Sequence, residues 1–198
     1  MYIHQNNKNK RQKENHYQNH HPKEKKAQLI RIKDLIRDKT VLEVFGGRKN
    51  ISSLYMHIAS ELTTLTLEET GDSYNIIKEW TDKVGYKSKK YNVIDIDGYG
   101  FSLNLFPHIF KLLKPYGTLI YTAPRQNTII SDTRRDMFEE VFSTRNWPRM
   151  DEIMDTIGRF AKEYNLELIR NDCFEVNSGY KNRGGITRQV FRVRKQKS

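Results

Sequence analysis

The sequence predicts an α/β fold: a Rossmann-like, doubly wound, mostly parallel sheet with an antiparallel C-terminal edge hairpin. Three observations predict it. From Thr40 to Pro124, short apolar β-branched stretches alternate with stretches of helical periodicity, the pattern of a parallel sheet with helices on both faces. Within that region, Tyr91–Arg125 (YNVIDIDGYGFSLNLFPHIFKLLKPYGTLIYTAPR) reads as one unit: buried strand, acidic Gly-rich turn, amphipathic helix, Pro-Gly break, second buried strand. Near the C-terminus, Leu166–Val176 and Ile186–Arg194 are strand-like and joined by NSGYKNRGG, which suggests a hairpin on the sheet's edge.

The elements follow in order. Residues 1–27 are Asn, Gln, His and Lys with almost no aliphatic side chains, too little apolar surface to offset the entropy of ordering, and are expected to be a disordered basic tail. Four of the six histidines (His4, His16, His20 and His21) lie there, where a solvated tail or a metal site could use them. Structure is expected from near Ala27, where AQLIRIKDLIRD has helical apolar spacing, with 28–198 forming a single domain. TVLEVF at 40–45 is a buried strand, Gly46-Gly47 a turn, 50–60 a helix, LTTLTL at 62–67 a strand and 73–84 a helix. The strand at 91–96, the helix at 103–114 stopped by Pro115 and Gly117, and the strand at 118–122 complete the alternation. Asp151–Tyr164 is a further amphipathic helix. Right-handed crossovers would line every parallel strand's carboxyl end along one rim, where ligands of open α/β sheets bind.

Composition bounds the function. The 198 residues hold 35 Lys and Arg against 24 Asp and Glu, a net charge of +11. Residues 1–27 carry seven basic and two acidic side chains, and 181–198 seven basic and no acidic ones, which leaves the middle near neutral. Basic poles on a neutral body suit a polyanion such as RNA or DNA, or serve solubility. The lone Cys173 excludes an internal disulfide framework and a cysteine-based zinc site, and its alternating neighbours make it a strand residue. No apolar run approaches a membrane span and no apolar signal core opens the chain, so a cytoplasmic protein, monomer or weak dimer, with no membrane partner is expected.

The candidate site residues sit at the predicted rim. Glu43 ends the first strand's apolar core and is followed by Phe45, Gly46 and Gly47, a turn that lets backbone approach a ligand closely or is a plain β-turn. G-x-G-x-x-G and the phosphate-binding P-loop are both absent. Glu68 and Glu69 end the second strand, where a carboxylate can accept both ribose hydroxyls of a nucleoside cofactor or cap the next helix. Asp95 and Asp97 end the third, followed by Gly98, Tyr99 and Gly100. A carboxylate and a backbone carbonyl can hold the hydrogens of an exocyclic amine, and an aromatic ring can stack on its base. Asp97, Gly98 and Tyr99 supply these three elements, with Asp95 contacting the cofactor or supporting the turn. A nucleic-acid surface is expected from Lys181, Arg183, Arg188, Arg192 and Arg194, flanked by Tyr180 and Lys195. Arg134, Arg135, Arg145, Trp147 and Arg149 form a second Arg-aromatic cluster, either a substrate channel or a charged helix over a packed Trp.

On these residues the chain at 41–124 resembles a class I S-adenosylmethionine-dependent methyltransferase. Residues 95–124 are most similar to the tRNA guanine-N2 dimethyltransferase family, whose D-x-D-P-F-G turn is matched by Asp95, Asp97, Gly98, Tyr99 and Gly100, and whose strand ending in T-A is matched by Thr122-Ala123. More broadly, 97–99 resembles the D/N-P-P-Y turn of amino-group methyltransferases acting on adenine or guanine. The resemblance implies S-adenosylmethionine as cofactor, methyl transfer to a base amine, and cofactor contacts from Glu43, Phe45, Gly46, Gly47, Glu68 and Asp95. The chain departs from the pattern where Gly98 replaces a proline and Lys49 replaces the cofactor loop's last glycine. Short spacing before Tyr91 implies that the usual third strand is reduced or missing. The alternative these departures leave open is a non-catalytic nucleic-acid-binding protein on a degenerate methyltransferase fold.

Overall fold

Thr40–Val44 (β1) lies between Glu61–Leu65 (β2) and Tyr91–Ile96 (β3), parallel to both. A computed structural model describes residues 22–44, 51–65, 89–97, 103–124, 132–146, 148–176 and 185–196 of the chain. Ahead of β1 come the helix Pro22–Arg31 (α1) and the single turn Lys33–Ile36 (α2), and Ser52–Ile58 (α3) links β1 to β2. After β3, a 3-10 turn (Leu103–Leu105) leads into Phe106–Leu112 (α4) and Leu113–Pro124 (β4). Asp132–Phe142 (α5), Met150–Glu163 (α6), Leu166–Val176 (β5) and Ile186–Lys195 (β6) complete the order.

The six-stranded sheet runs β2-β1-β3-β4-β6-β5. Only β6 opposes the rest: it pairs antiparallel with β4 on one side and β5 on the other, so β5 at the edge points with the parallel strands. The mostly parallel sheet with an antiparallel hairpin at its edge is therefore as the sequence predicts, with the last strand slotted inside the penultimate one. Successive side chains on each strand point to opposite faces, and both faces of the central strands β1 and β3 are covered, which is why those strands are mostly apolar. Val41, Val93, Ile120 and Val190 pack under α1, α2 and α3 against Leu29, Ile32, Ile36 and Tyr55. Leu42, Ile94, Ile96, Leu119 and Tyr121 face the other layer, against Phe106, Ile109 and Phe110 of α4 and Ile153 and Ile157 of α6.

Two boundaries differ from expectation. Helix α1 starts at Pro22, ahead of Ala27, because Pro at the first helical position is pre-set for a helix and gives up no needed donor. Helix α4 ends at Leu112, and β4 begins at once: Tyr91 pairs with Leu113 and Val93 with Thr118, so Pro115–Gly117 bulge from the strand instead of forming a separate loop. Tyr116 takes a positive φ of 65° there. The expected helix at 73–84 and the spacing from which a reduced third strand was inferred lie outside the described residues, as do residues 1–21. Among the described residues no helix is long and apolar enough to cross a membrane.

Gly117 has no room for a side chain. A Cβ there would lie 2.6 Å from the carbonyl oxygen of Asn92 and 2.8 Å from that of Lys114, and backbone cannot swing aside. Gly117→Ala is expected to cost roughly 2 kcal/mol in urea denaturation; a wild-type midpoint would contradict this close approach.

Candidate active site

The chain leaves β1 for β2 on one side and returns to β3 on the other, so the strand order reverses between β1 and β3. In open α/β sheets this switch point opens a crevice at the carboxyl ends, and ligands bind in it. Glu43 flanks it on β1, and Asp95 and Asp97 flank it at the end of β3. The backbone N–H of Asp97 donates to the Val44 carbonyl at 3.1 Å, which ties the two strand ends together. Residues 93, 95 and 97 alternate onto the α1 side of the sheet, so both aspartates point under that helix.

Asp95 is fully buried. Its Oδ2 accepts from Arg188 Nη2 at 2.5 Å and from Tyr55 Oη at 2.6 Å, while Oδ1 has no hydrogen-bond partner among the described residues. Arg188 is itself fully buried on β6. Its Nη1 donates to Thr122 Oγ1 at 2.8 Å and its Nε to Gln28 Oε1 at 3.1 Å, and Gln28 Nε2 donates back to the Arg188 carbonyl at 3.4 Å. Burial opposes charge on the guanidinium; Asp95 and then Asp97 outweigh it and hold Arg188 firmly protonated. Burial and the neighbouring Asp95 push the Tyr55 phenol well above its ordinary value.

Asp97 meets a second cation. Lys25 Nζ from α1 lies 2.5 Å from Oδ1 and 2.6 Å from Oδ2, with Arg188 Nη1 3.9 Å from Oδ1. The Lys25 and Asp97 side chains are only 4% and 9% exposed. Burial alone would raise the Asp97 carboxyl; the Lys25 ammonium and then Arg188 outweigh it and hold it below the usual carboxylate range. Two buried acids are thus balanced by two buried cations.

Among the described residues Glu43 meets hydroxyl donors and no cation. Its Oε2 accepts from Ser52 Oγ at 2.6 Å and Thr64 Oγ1 at 3.3 Å, which joins the start of α3 to β2. Burial pushes its carboxyl from 4.5 to about 7, with Asp95 and Asp97 adding to the shift against the two hydroxyl bonds.

Several sequence expectations change here. Arg188 does not belong to a nucleic-acid surface: desolvated at the sheet's centre, it is committed to Asp95. Asp95 meets Arg188 and Tyr55 on the α1 side of the sheet and supports the strand end, not a cofactor. Arg192 and Arg194 are exposed, but β6 runs antiparallel and carries them toward the amino end of the sheet; Arg192 is level with Thr118, and Arg194 pairs with Glu167 at 2.8 Å. They therefore lie away from the rim that holds Asp97. Arg145 bonds Glu139 and Asp136, and Arg149 bonds Asp151 at the start of α6, so both are matched to helix acids. Cys173 is an exposed strand residue of β5. Phe45, Gly46, Gly47, Lys49, Glu68, Glu69, Gly98, Tyr99, Gly100, Trp147, Tyr180, Lys181 and Arg183 lie outside the described residues, as does the side chain of Arg134. The strands flanking 177–184 end at the carboxyl rim, where Pro124 pairs with Ile186.

Lys25, Gln28 and Tyr55 escaped the sequence reading. The available clue was Pro22 as a helix start, which would have placed Lys25 and Gln28 on the same helix as Leu29 and Ile32.

No protein-family model matches the chain, and no curated protein matches it. Solved structures do. N-methyltransferase NodS from Bradyrhizobium japonicum WM9 is similar with a TM-score of 0.54 at 11% identity, over 90% of this chain and 100% of that one. SMU.776 complexed with SAH gives 0.55 at 13% identity, over 83% of this chain and 49% of that one. The tRNA m1G37 methyltransferase of M. jannaschii gives 0.50 at 13% identity, over 86% of this chain and 49% of that one. The chain thus spans the whole of one and about half of the other two. The fold is that of the class I, Rossmann-like methyltransferases.

Two predictions follow from the charges. Removing the cation from Asp95 strands a buried carboxylate, so Arg188→Met is expected to destabilise by roughly 3–5 kcal/mol in chemical denaturation; a loss below about 1 kcal/mol would mean that Arg188 does not hold the sheet. Glu43 ionises near 4.5 when unfolded but only near 7 when folded, so the native state binds its proton more tightly. That stabilisation is complete below the unfolded value and is lost as pH rises through about 7. Between about pH 5 and 8 the wild type should lose roughly 3 kcal/mol relative to Glu43→Gln; parallel stability curves would contradict the buried, protonated carboxyl.

Proposed function

We propose that this protein is an S-adenosylmethionine-dependent methyltransferase acting on an exocyclic amine of a nucleic-acid base, with RNA favoured and a tRNA-like guanine or an adenine as the target. The observation that carries this reading is the pair Glu43 and Asp97 on either side of the β1/β3 switch point. The donor set there suits the group: an acid at the end of β1, with Gly46 and Gly47 following in the sequence, and an acid at the end of β3, with Gly98 and Tyr99 following in the sequence. Neighbours of the same fold include a tRNA methyltransferase, an N-methyltransferase and a protein bound to SAH.

When bound, S-adenosylmethionine supplies an electrophilic methyl group. In this reading Glu43, Phe45, Gly46, Gly47 and Glu68 hold it. Asp97, with Arg188 Nη1 3.9 Å away, accepts a hydrogen bond from the amine and aligns its nitrogen, and the Gly98 carbonyl accepts a second. Tyr99 stacks on the base. Asp95 and Arg188 fix the end of β3 that carries Asp97. Lys181 and Arg183, on the stretch between two strand ends at the rim, contact phosphates near the reacting base.

The second reading is a nucleic-acid-binding protein without turnover. The observation that favours it is the closure of Asp97 by Lys25. Calorimetric titration with S-adenosylmethionine separates the two: saturable heat supports the enzyme, and none at millimolar ligand removes it. Given binding, Asp97→Asn should lower methyl incorporation into RNA by about 10²-fold or more while leaving cofactor affinity near wild type; intact turnover would remove Asp97 from the reaction.

A further inference from the structure

The Lys25 contact does not belong to the reaction just described, and it blocks it. Asp97 is 9% exposed on its side chain, and both carboxylate oxygens face the Lys25 ammonium. An amine entering from solvent finds its acceptor already occupied by an amine of the chain. The two groups share the relevant chemistry: nitrogen carrying hydrogens, donating to the same oxygens.

Helix α1 is divided in how it is held. Its second half is anchored by Leu29 and Gln28, both fully buried, and by an ion pair from Arg31 to Asp172. Its first half is different: among residues 23–27 only Lys25 is buried, while Lys23, Glu24 and Ala27 are exposed. Three lysines (Lys23, Lys25 and Lys26) crowd the positive end of the helix dipole against one acid, Glu24, which weakens this end. Weakly held terminal turns open locally without global unfolding.

We propose that the Lys25–Asp97 pair is a displaceable latch: Lys25 holds the position that an amine-bearing substrate takes, and the first half of α1 opens when such a group replaces it. The inference rests on Asp97 being the amine acceptor of the proposed reaction. It also defines the ligand class: the replacement must donate hydrogen to a carboxylate that has lost its cation, which an amine does and an ether or carbonyl does not. Burial outweighs the attraction of Asp97 and pulls the Lys25 ammonium below its ordinary lysine value, so the latch holds its cation at a desolvation cost that opening relieves.

The test is amide hydrogen exchange of the full chain, read by mass spectrometry over 23–27 and, as an internal control, over 28–32. In the free protein, Lys25→Met should speed exchange in the first segment by about tenfold or more and leave the second within about twofold. Adding Asp97→Asn to Lys25→Met removes the stranded charge and should restore most of the protection. Unchanged exchange at 23–27 in Lys25→Met, or no restoration in the double variant, overturns the latch. A third arm adds SAH and a mixed-sequence single-stranded RNA to the wild type, with binding followed in parallel by calorimetry. Binding with faster exchange at 23–27 supports the latch. Binding with 23–27 still protected overturns it and leaves the proposed reaction standing; absence of binding by wild type and Lys25→Met alike overturns both.

Discussion

The buried pair of Asp95 and Arg188 is the contact on which the carboxyl end of this sheet depends. Asp95 lies on a central parallel strand and Arg188 on the only antiparallel one, 93 residues later in the chain. Their contact reaches across β4, where Thr122 takes a third hydrogen bond, and up into α1 through Gln28. One guanidinium thereby joins two strands flanking β4, the strand between them and the covering helix. A planar group with five donors suits such a junction, whereas a lysine in its place could not reach all three partners at once.

The same junction draws on both basic ends of the chain. Among the described residues, each end sends one cation into the core. Arg188 comes from the C-terminal pole and Lys25 from the N-terminal one, and they meet over Asp95 and Asp97. Burial would raise the Asp97 carboxyl, and the Lys25 ammonium and then Arg188 hold it below the usual carboxylate range. Glu43 marks the contrast: burial pushes its carboxyl up to about 7, and among the described residues its donors are hydroxyls. Among the described residues the rim thus holds one carboxyl drawn down by cations, Asp97, and one pushed up by burial, Glu43.

Much of this was legible in the residues. Strands at 40–45, 91–96 and the C-terminal hairpin announced themselves by apolar runs, and the acids at strand ends by their position. Strand alternation could also have placed Asp95 and Asp97 on one face, since they are two apart. What periodicity cannot supply is the identity of a partner: nothing local says that Lys25 belongs to Asp97 or Arg188 to Asp95, because those pairs are long-range contacts settled by packing. Lys25 was hidden further by its neighbourhood, where polar composition argues for disorder and outweighs the single helix-start cue at Pro22. Arg188 was misplaced for the opposite reason. It sits among basic residues whose composition suggests a surface, while its own two-residue spacing from Val190 places it on a buried face.

The geometry of β6 also limits how a nucleic acid could use this molecule. Going from Arg188 to Arg192 and Arg194 moves along the strand away from Asp97 by about 13 and 20 Å, at ~3.3 Å per residue. A strand of nucleic acid advances about 3.4 Å per nucleotide when stacked. A base held at Asp97 and a phosphate held at Arg192 therefore belong to nucleotides several positions apart, not to neighbours. Affinity from those arginines would grow with substrate length. The antiparallel last strand thus carries Arg192 and Arg194 too far down the sheet to position a base against Asp97.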